Sequence, residues 1–120
     1  MDSYVLVRSE HLNHNERLFG GQLLKWVDEY AYIAAKLDFS KNAFVTRAME
    51  NSEFKVGVPN GSLLRFHTEK IHQGKTSVTY AVDVYSEINK QEKLIFSNKV
   101  TLVAIDILGN KTALIGEYLT

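Results

Sequence analysis

The sequence predicts an α+β fold, one long helix packed on an antiparallel sheet, from three observations. Residues 20–37 carry a helical pattern without proline. In residues 76–86, Val78, Tyr80, Val82 and Val84 alternate with Ser77, Thr79, Ala81 and Asp83, the period of a half-buried strand. Further strand-like runs follow the helix with turn residues between them, and one helix followed by long neighbouring strands gives this layered arrangement. A length of 120 residues suits one compact domain, residues 1–120.

In chain order, the β-prone run 3–9 reads as a first strand. A polar turn over 10–19 leads into the helix, and Asp38-Phe39-Ser40-Lys41-Asn42 is its polar exit. Residues 43–54 read as a long strand, and Gly57-Val58-Pro59-Asn60-Gly61 as a turn holding the only proline. Residues 62–73 form another strand, with Leu64, Phe66, Thr68 and Lys70 on one face. Residues 87–92 make a turn, 93–106 a last long strand, and Asp106-Ile107-Leu108-Gly109-Asn110 a turn before a short tail.

At about 100° per residue, Gln22, Lys25, Glu29 and Lys36 form a narrow polar stripe on the helix. The apolar residues, from Ile33 and Trp26 round to Leu24 and Ala35, fill roughly 200°. So wide an apolar face suits a helix wrapped by a sheet. Asp28 lies outside the polar stripe, beside Ala35, Leu24, Gly21 and Tyr32. A lone carboxylate there costs desolvation energy unless it is hydrogen-bonded or wetted, which makes it a functional candidate; the plain alternative is a solvated edge residue or an ion-pair partner. Glu29 points about 100° away and belongs with Lys25. Gly20 and Gly21 stand where helix N–H groups have no intrahelical partner and carry partial positive charge. A pair of glycines lets another group approach that backbone closely.

Composition excludes several classes. Net charge is zero, with 14 basic residues scattered along the chain, so nucleic acid has no electrostatic footprint. Cysteine is absent, which removes disulfides, thiolate catalysis and cysteine metal sites. No apolar run reaches the roughly 18 residues that span a bilayer, and no basic segment precedes an apolar core as in a secretory signal. The expectation is a soluble cytoplasmic protein without membrane association. His11 and His14 sit three apart in a turn, while His67 and His72, five apart in a strand, are expected on opposite faces. Neither pair has a third ligand in view, and no metal is expected.

Asn13 and Gly20 are seven apart, and Gly20 and Asp28 eight apart. This segment, Asn13-His14-Asn15-Glu16-Arg17-Leu18-Phe19-Gly20-Gly21 with Asp28 on the helix, resembles the active-site segment of hotdog-fold acyl-CoA thioesterases. The resemblance runs on through Val45-Thr46, Phe54, Gly61 and Gly74-Lys75-Thr76-Ser77-Val78, from about residue 5 to about residue 108. It implies a hotdog fold, a central helix wrapped by an antiparallel sheet and completed by dimerisation. It also implies hydrolysis of acyl-CoA to a free acid and CoA, in lipid metabolism.

By that resemblance Asp28 is general base or nucleophile, Asn13 orients water or carbonyl, and the Gly20 N–H, with Gly21 beside it, stabilises the oxyanion. Thr46 hydrogen-bonds the water or carboxylate. Asp28 would act with Asn13 and Gly20 of a second copy, so a homodimer is expected, with tetramers or hexamers also known among relatives. The turn Gly74, Lys75, Thr76, Ser77 would lie along the pantetheine arm, although a simple hairpin turn explains it equally. No cofactor is implied beyond CoA, itself part of the substrate. Lys75, Arg47, Lys55 and Arg65 are candidates for the CoA phosphates, and Tyr30, Tyr32, Trp26 and Phe19 for the acyl tunnel or the core.

Two departures stand out. Glu16 replaces the glycine of the family's Asn-x-x-Gly, and Gly57-Val58-Pro59-Asn60-Gly61-Ser62 moves the proline and loses the aspartate of a characteristic loop. The alternatives are a hotdog module that binds acyl-CoA or acyl carrier protein without hydrolysis, and a hydratase or dehydratase; the retained Asp28 argues against a pure binder, and the segment around His14 matches the thioesterase pattern better than the dehydratase one.

Overall fold

A computed structural model describes residues 1–50, 53–54 and 56–116. The strands are β1 (Asp2–Leu6), β2 (Ala43–Met49), β3 (Leu63–Gln73), β4 (Ser77–Ile88) and β5 (Gln91–Ile105), and the helix is α1 (Gly20–Asp38). They form one antiparallel sheet in the order β1-β3-β4-β5-β2. Strands β1 and β2 therefore occupy opposite edges, and the chain between them has to cross the whole sheet. α1 makes that crossing and packs against β2, β3, β4 and β5.

The core lies between helix and sheet. Leu23, Trp26, Val27, Ala31, Ala34 and Ala35 are buried on α1. They meet Leu64, Phe66, Val78, Tyr80, Val82, Val84, Val100 and Leu102 on the inner face of the sheet. Burying each of these large side chains contributes roughly 1.5–3 kcal/mol. The single sheet does not cover the whole apolar arc of the helix: Leu24, Ile33 and Leu37 remain exposed. Tyr80 carries its hydroxyl into the core and donates it to Asp38 at 2.6 Å; burial and that carboxylate push its pKa up.

Some boundaries differ from the sequence expectation, each for a local reason. β1 ends at Leu6, because Val7 pairs outside the strand, its N–H to the Ser62 carbonyl and its carbonyl to the Gly61 N–H, both at 2.8 Å. A 3-10 turn, Ser9–His11, follows. β2 stops at Met49, and the Asn98 side chain takes over the pairing, accepting the Glu50 N–H at 2.9 Å and donating to the Glu50 carbonyl at 3.2 Å. Part of the expected strand beyond, residues 51 and 52, lies outside the described residues. β4 and β5 are joined by Asn89 and Lys90, at φ of 52° and 63°, the left-handed pair of a tight hairpin turn, where the sequence suggested a turn of six residues.

His67 and His72 do not lie on opposite faces as their spacing implied. A bulge between Lys70 and His72 shifts the register, so His67 faces Asp83 and His72 faces Thr79 across β4. The extra residue reverses the alternation and brings both histidines to the outer face. There His67 Nδ1 meets Asp2 at 2.7 Å and Nε2 meets Glu69 at 3.3 Å. The Asp2 hydrogen bond, then that of Glu69, raises the His67 pKa above its usual value.

Two loop positions take the left-handed conformation. Gly61, at φ +88°, lets the Ser62 N–H return to the Pro59 carbonyl at 3.3 Å. Glu16, which stands where the resemblance leads one to expect glycine, adopts φ +58°, so this left-handed turn is formed with a side chain in place. Gly61→Ala is expected to cost about 1 kcal/mol. Glu16→Gly is expected to match or exceed the parent's stability, because it relieves roughly 1–2 kcal/mol of left-handed strain, partly offset by glycine entropy. Urea denaturation of both variants checks these opposite signs. For His67, the stability tied to its raised pKa is full below the unfolded value and is lost as pH rises through the folded value. An NMR titration should place its midpoint above about 6.5, and His67→Gln should flatten the loss of stability on the alkaline side.

Candidate active site

Asp28 projects from the middle of α1 toward β2. Its Oδ1 accepts a hydrogen bond from the Thr46 hydroxyl at 2.6 Å. Thr46 reaches it because it shares the phase of Phe44, whose partner Ala104 is buried. Directly after Thr46, a bulge between Thr46 and Ala48 breaks the β2–β5 register; bulges of this kind re-aim side chains beside functional sites. Asp28 is half-buried and Thr46 exposed. The hydroxyl fixes one carboxylate oxygen, and no described hydrogen bond uses Oδ2.

Around this pair runs a groove of about 460 Å³ lined by Trp26, Asp28, Glu29, Tyr30, Tyr32, Ile33 and Thr46. Its aromatic wall is held from behind. Trp26 stands edge-on to Phe66 at 6.1 Å, Tyr30 lies 5.0 Å from Phe66, and His11 packs edge-on to Trp26 at 4.7 Å. Burial, with Glu29 nearby, raises the Tyr30 phenol pKa. Glu29 and Ile33 belong to the groove although the sequence pattern gave no sign of it. Phe19 does not line it; its ring covers Gly21, where a Cβ would meet Phe19 Cε2 at 2.5 Å.

The other candidates gather at the amino end of α1. The Asn13 side chain accepts the N–H groups of Asn15 at 2.9 Å and Arg17 at 3.2 Å. Its carbonyl oxygen thus shapes its own loop, and its NH2 makes no hydrogen bond among the described residues. Phe19 precedes the helix and accepts from Gln22 and Leu23 at 3.0 and 3.2 Å. No described hydrogen bond uses the N–H of Gly20 or Gly21. A Cβ at Gly20 would meet nothing within 4 Å, so the space on the side-chain side of this residue is empty.

Eight residues of helix separate Gly20 from Asp28, about 12 Å along the axis. The structure therefore sorts the four candidates into two groups, Asp28 hydrogen-bonded to Thr46, and Gly20 at the amino end of α1 with Asn13 in the loop before it, held apart within one copy. The Gly74–Ser77 segment is a hairpin turn, closed by the Gly74 N–H on the Ser77 carbonyl at 2.8 Å. Among the candidate phosphate partners, Arg65 is committed elsewhere. It clamps Glu92 at 2.9 and 2.7 Å, reaches Asp2 at 3.3 Å and stacks 4.3 Å above the Tyr85 ring. Arg47 and Lys75 are exposed, and Lys55 lies outside the described residues. Among the described residues no cluster of His, Asp and Glu could hold a metal ion, and no helix is long and apolar enough to cross a membrane.

Comparison with known proteins identifies the family and the fold. Residues 15–93 match the family model of the thioesterase superfamily. The chain is 31% identical over 106 residues to protein VdlD of Helicobacter pylori, covering 87% of this chain and 60% of that protein; it thus spans about 60% of the length of this relative. Among solved structures, an acyl-CoA hydrolase from Staphylococcus aureus, in complex with butyryl coenzyme A and coenzyme A, superposes with a TM-score of 0.86 at 24% identity, covering 98% of this chain and 73% of that one. A hexameric hotdog-fold thioesterase of Campylobacter jejuni gives 0.83 at 24% identity, covering 94% and 88%. At that identity these structures show the fold, and it is the hotdog fold. With the family model spanning well over half of it, the chain belongs to the thioesterase superfamily.

Proposed function

We propose that this protein is an acyl-CoA thioesterase whose active site is shared between two copies of the chain. The observation that carries the reading is the Thr46–Asp28 hydrogen bond of 2.6 Å at the edge of an apolar, aromatic-walled groove. A carboxylate fixed by one oxygen, with the other free, is suited to take a proton from water. Kinship with the thioesterase superfamily, and likeness in fold to a hydrolase solved with butyryl-CoA and CoA, support a thioester as the substrate.

The chemistry follows from the residues. Asp28 Oδ2 removes a proton from a water as that water attacks the thioester carbonyl carbon. The carbonyl oxygen becomes an oxyanion and is held by the free N–H of Gly20 at the positive end of α1. Asn13, with its NH2 group unspent, orients the carbonyl or the water. The C–S bond then breaks, the thiolate of CoA leaves and is protonated, and the acid is released. Thr46 keeps Asp28 in its productive rotamer. No metal or added cofactor enters these steps.

Two copies are required because the two groups sit about 12 Å apart along one helix. The bare edge of β2 offers the means: Val45, Thr46, Arg47 and Ala48 are exposed, and an unpaired edge is a template for a second strand. Antiparallel pairing of β2 with its copy is isologous and would carry the partner's Gly20 toward Asp28. Assembly beyond the dimer is consistent with hexameric relatives in fold.

Asp28→Asn should lower kcat by about 10²–10⁴ while leaving CoA affinity intact, measured by release of free thiol over a panel of acyl-CoAs and by calorimetry. Binding without turnover in the parent protein would identify a sensor instead, and hydration of an enoyl-CoA a hydratase. In a single turnover in ¹⁸O-water, an unlabelled first acid with the label left in Asp28 shows a covalent anhydride opened at the aspartyl carbon, whereas general-base attack labels the first acid and leaves Asp28 unlabelled. Refolding Asp28→Asn together with Asn13→Ala should restore activity that neither variant has alone, since mixed dimers regain one intact site; no recovery would rule out sharing between copies.

A further inference from the structure

A second cavity, of about 260 Å³, lies between the carboxyl half of α1 and the inner face of β3 and β4. It shares no residue with the groove around Asp28. Thr68 lines it from β3 and is 3% exposed, yet its Oγ1 has no hydrogen-bond partner among the described residues. The Thr68 backbone is fully used. Its N–H donates to the Met1 carbonyl at 2.8 Å, and its carbonyl accepts from the Met1 amino group at 3.0 Å. Only the side chain is left over, and a buried hydroxyl without a partner is uncommon enough to need an explanation.

Two opposite charges line the same cavity without pairing with each other. Asp38, the last residue of α1, accepts the Tyr80 hydroxyl on Oδ2 at 2.6 Å. Among the described residues its Oδ1 has no partner and no cation pairs with the carboxylate. Helix carbonyls carry partial negative charge at this end, so helix and carboxylate together favour a cation. Lys70 is held elsewhere: its Nζ donates to Gln73 Oε1 at 2.9 Å and stands 5.3 Å over the Phe39 ring, a face that attracts a cation. The other ionic groups at the cavity are already engaged, the Glu69 carboxylate by His67 and the Met1 amino group by Thr68. Ala34 and Leu37 add an apolar wall.

The geometry points to this cavity as a binding site for a small α-amino acid in its zwitterionic form. The ammonium group of the ligand meets Asp38 Oδ1, its carboxylate meets Lys70, and Thr68 Oγ1 supplies a further hydrogen bond. A short side chain rests against Ala34 and Leu37. An anion and a cation that share a cavity but do not pair are both satisfied by one molecule carrying both charges. Water would meet the Thr68 hydroxyl but would neutralise neither. Pockets for drug-sized ligands hold roughly 300–1,000 Å³, so this one suits a smaller molecule. The site is independent of thioester hydrolysis.

Calorimetry of the full chain with glycine, L-alanine and L-serine at millimolar concentration is expected to show saturable binding of at least one. Ethylamine and propionate, with one charge each, should bind at least about tenfold more weakly. Asp38→Asn and Lys70→Gln should each weaken the amino acid about tenfold or more, and Thr68→Val about three- to tenfold. Because the Thr68 hydroxyl makes no bond in the free protein, Thr68→Val should keep or raise stability in urea without ligand. Should Asp38→Asn fail to fold, Lys70→Gln, at an exposed position, and Thr68→Val carry the test. Absence of saturable binding, equal binding of ethylamine or propionate, or unchanged affinity in any folded variant overturns the inference. A loss of ligand-free stability in Thr68→Val overturns it too, since the hydroxyl would then already be in use.

Discussion

The constraint behind this molecule is topological. β1 and β2 lie on opposite edges of a five-stranded sheet, and a single connection must carry the chain from one edge to the other. A helix of 19 residues, about 28 Å long, makes the crossing and becomes the core's second layer. Its path also places the candidate residues. The amino end follows the loop that carries Asn13, and no described hydrogen bond uses the N–H of Gly20 or Gly21, while the middle is brought against β2 and sets Asp28 beside Thr46. One sheet curls round only part of that helix, so a flank of exposed apolar residues and a groove remain.

The groove shows how packing serves placement. Asp28 is neither deeply buried nor tied into an ion pair; its neighbour is a hydroxyl. A buried ion pair would have spent the carboxylate on structure, whereas one hydrogen bond fixes its rotamer and leaves an oxygen for water. Charges that do pair lie elsewhere. Arg65 with Glu92 and Asp2, and His67 with Asp2 and Glu69, decorate the outer face, away from the helix. The division between an inner side that carries the candidate groove and an ionic outer side follows from strand alternation, with the bulges as its few exceptions.

Much of this was legible in the residues. Strand alternation from Ser77 to Asp83 and the absence of proline between Gly20 and Lys36 fixed the two layers, because period and breakers are local properties. The resemblance carried by Asn13, Gly20 and Asp28, with Thr46, singled out candidates of which the structure brings Asp28 and Thr46 together. What escaped was nonlocal. The bulge at Lys70–His72 depends on pairing with β4 and reversed the facing of a histidine. Asn89-Lys90 gave no glycine to announce a two-residue turn. Arg65 read as a free cation until Glu92 was brought beside it from the next hairpin. Asn42 looked like a loop polar residue, and only the return of the C-terminal segment, whose Ala113 carbonyl accepts its NH2 group from 71 positions later in sequence, showed why an amide is needed there.

The two borders of the sheet are chemically unlike. β1 is five residues long and flanked by the Asp2, Arg65 and His67 charges, while β2 is longer, uncharged except for Arg47 and bare. Brevity and flanking charge discourage a further strand from adding at a sheet margin. A second strand is invited at one margin only, so two copies paired through β2 would use up the open edges of both. Such pairing cannot run on as a fibre, and any larger assembly has to be built through other faces.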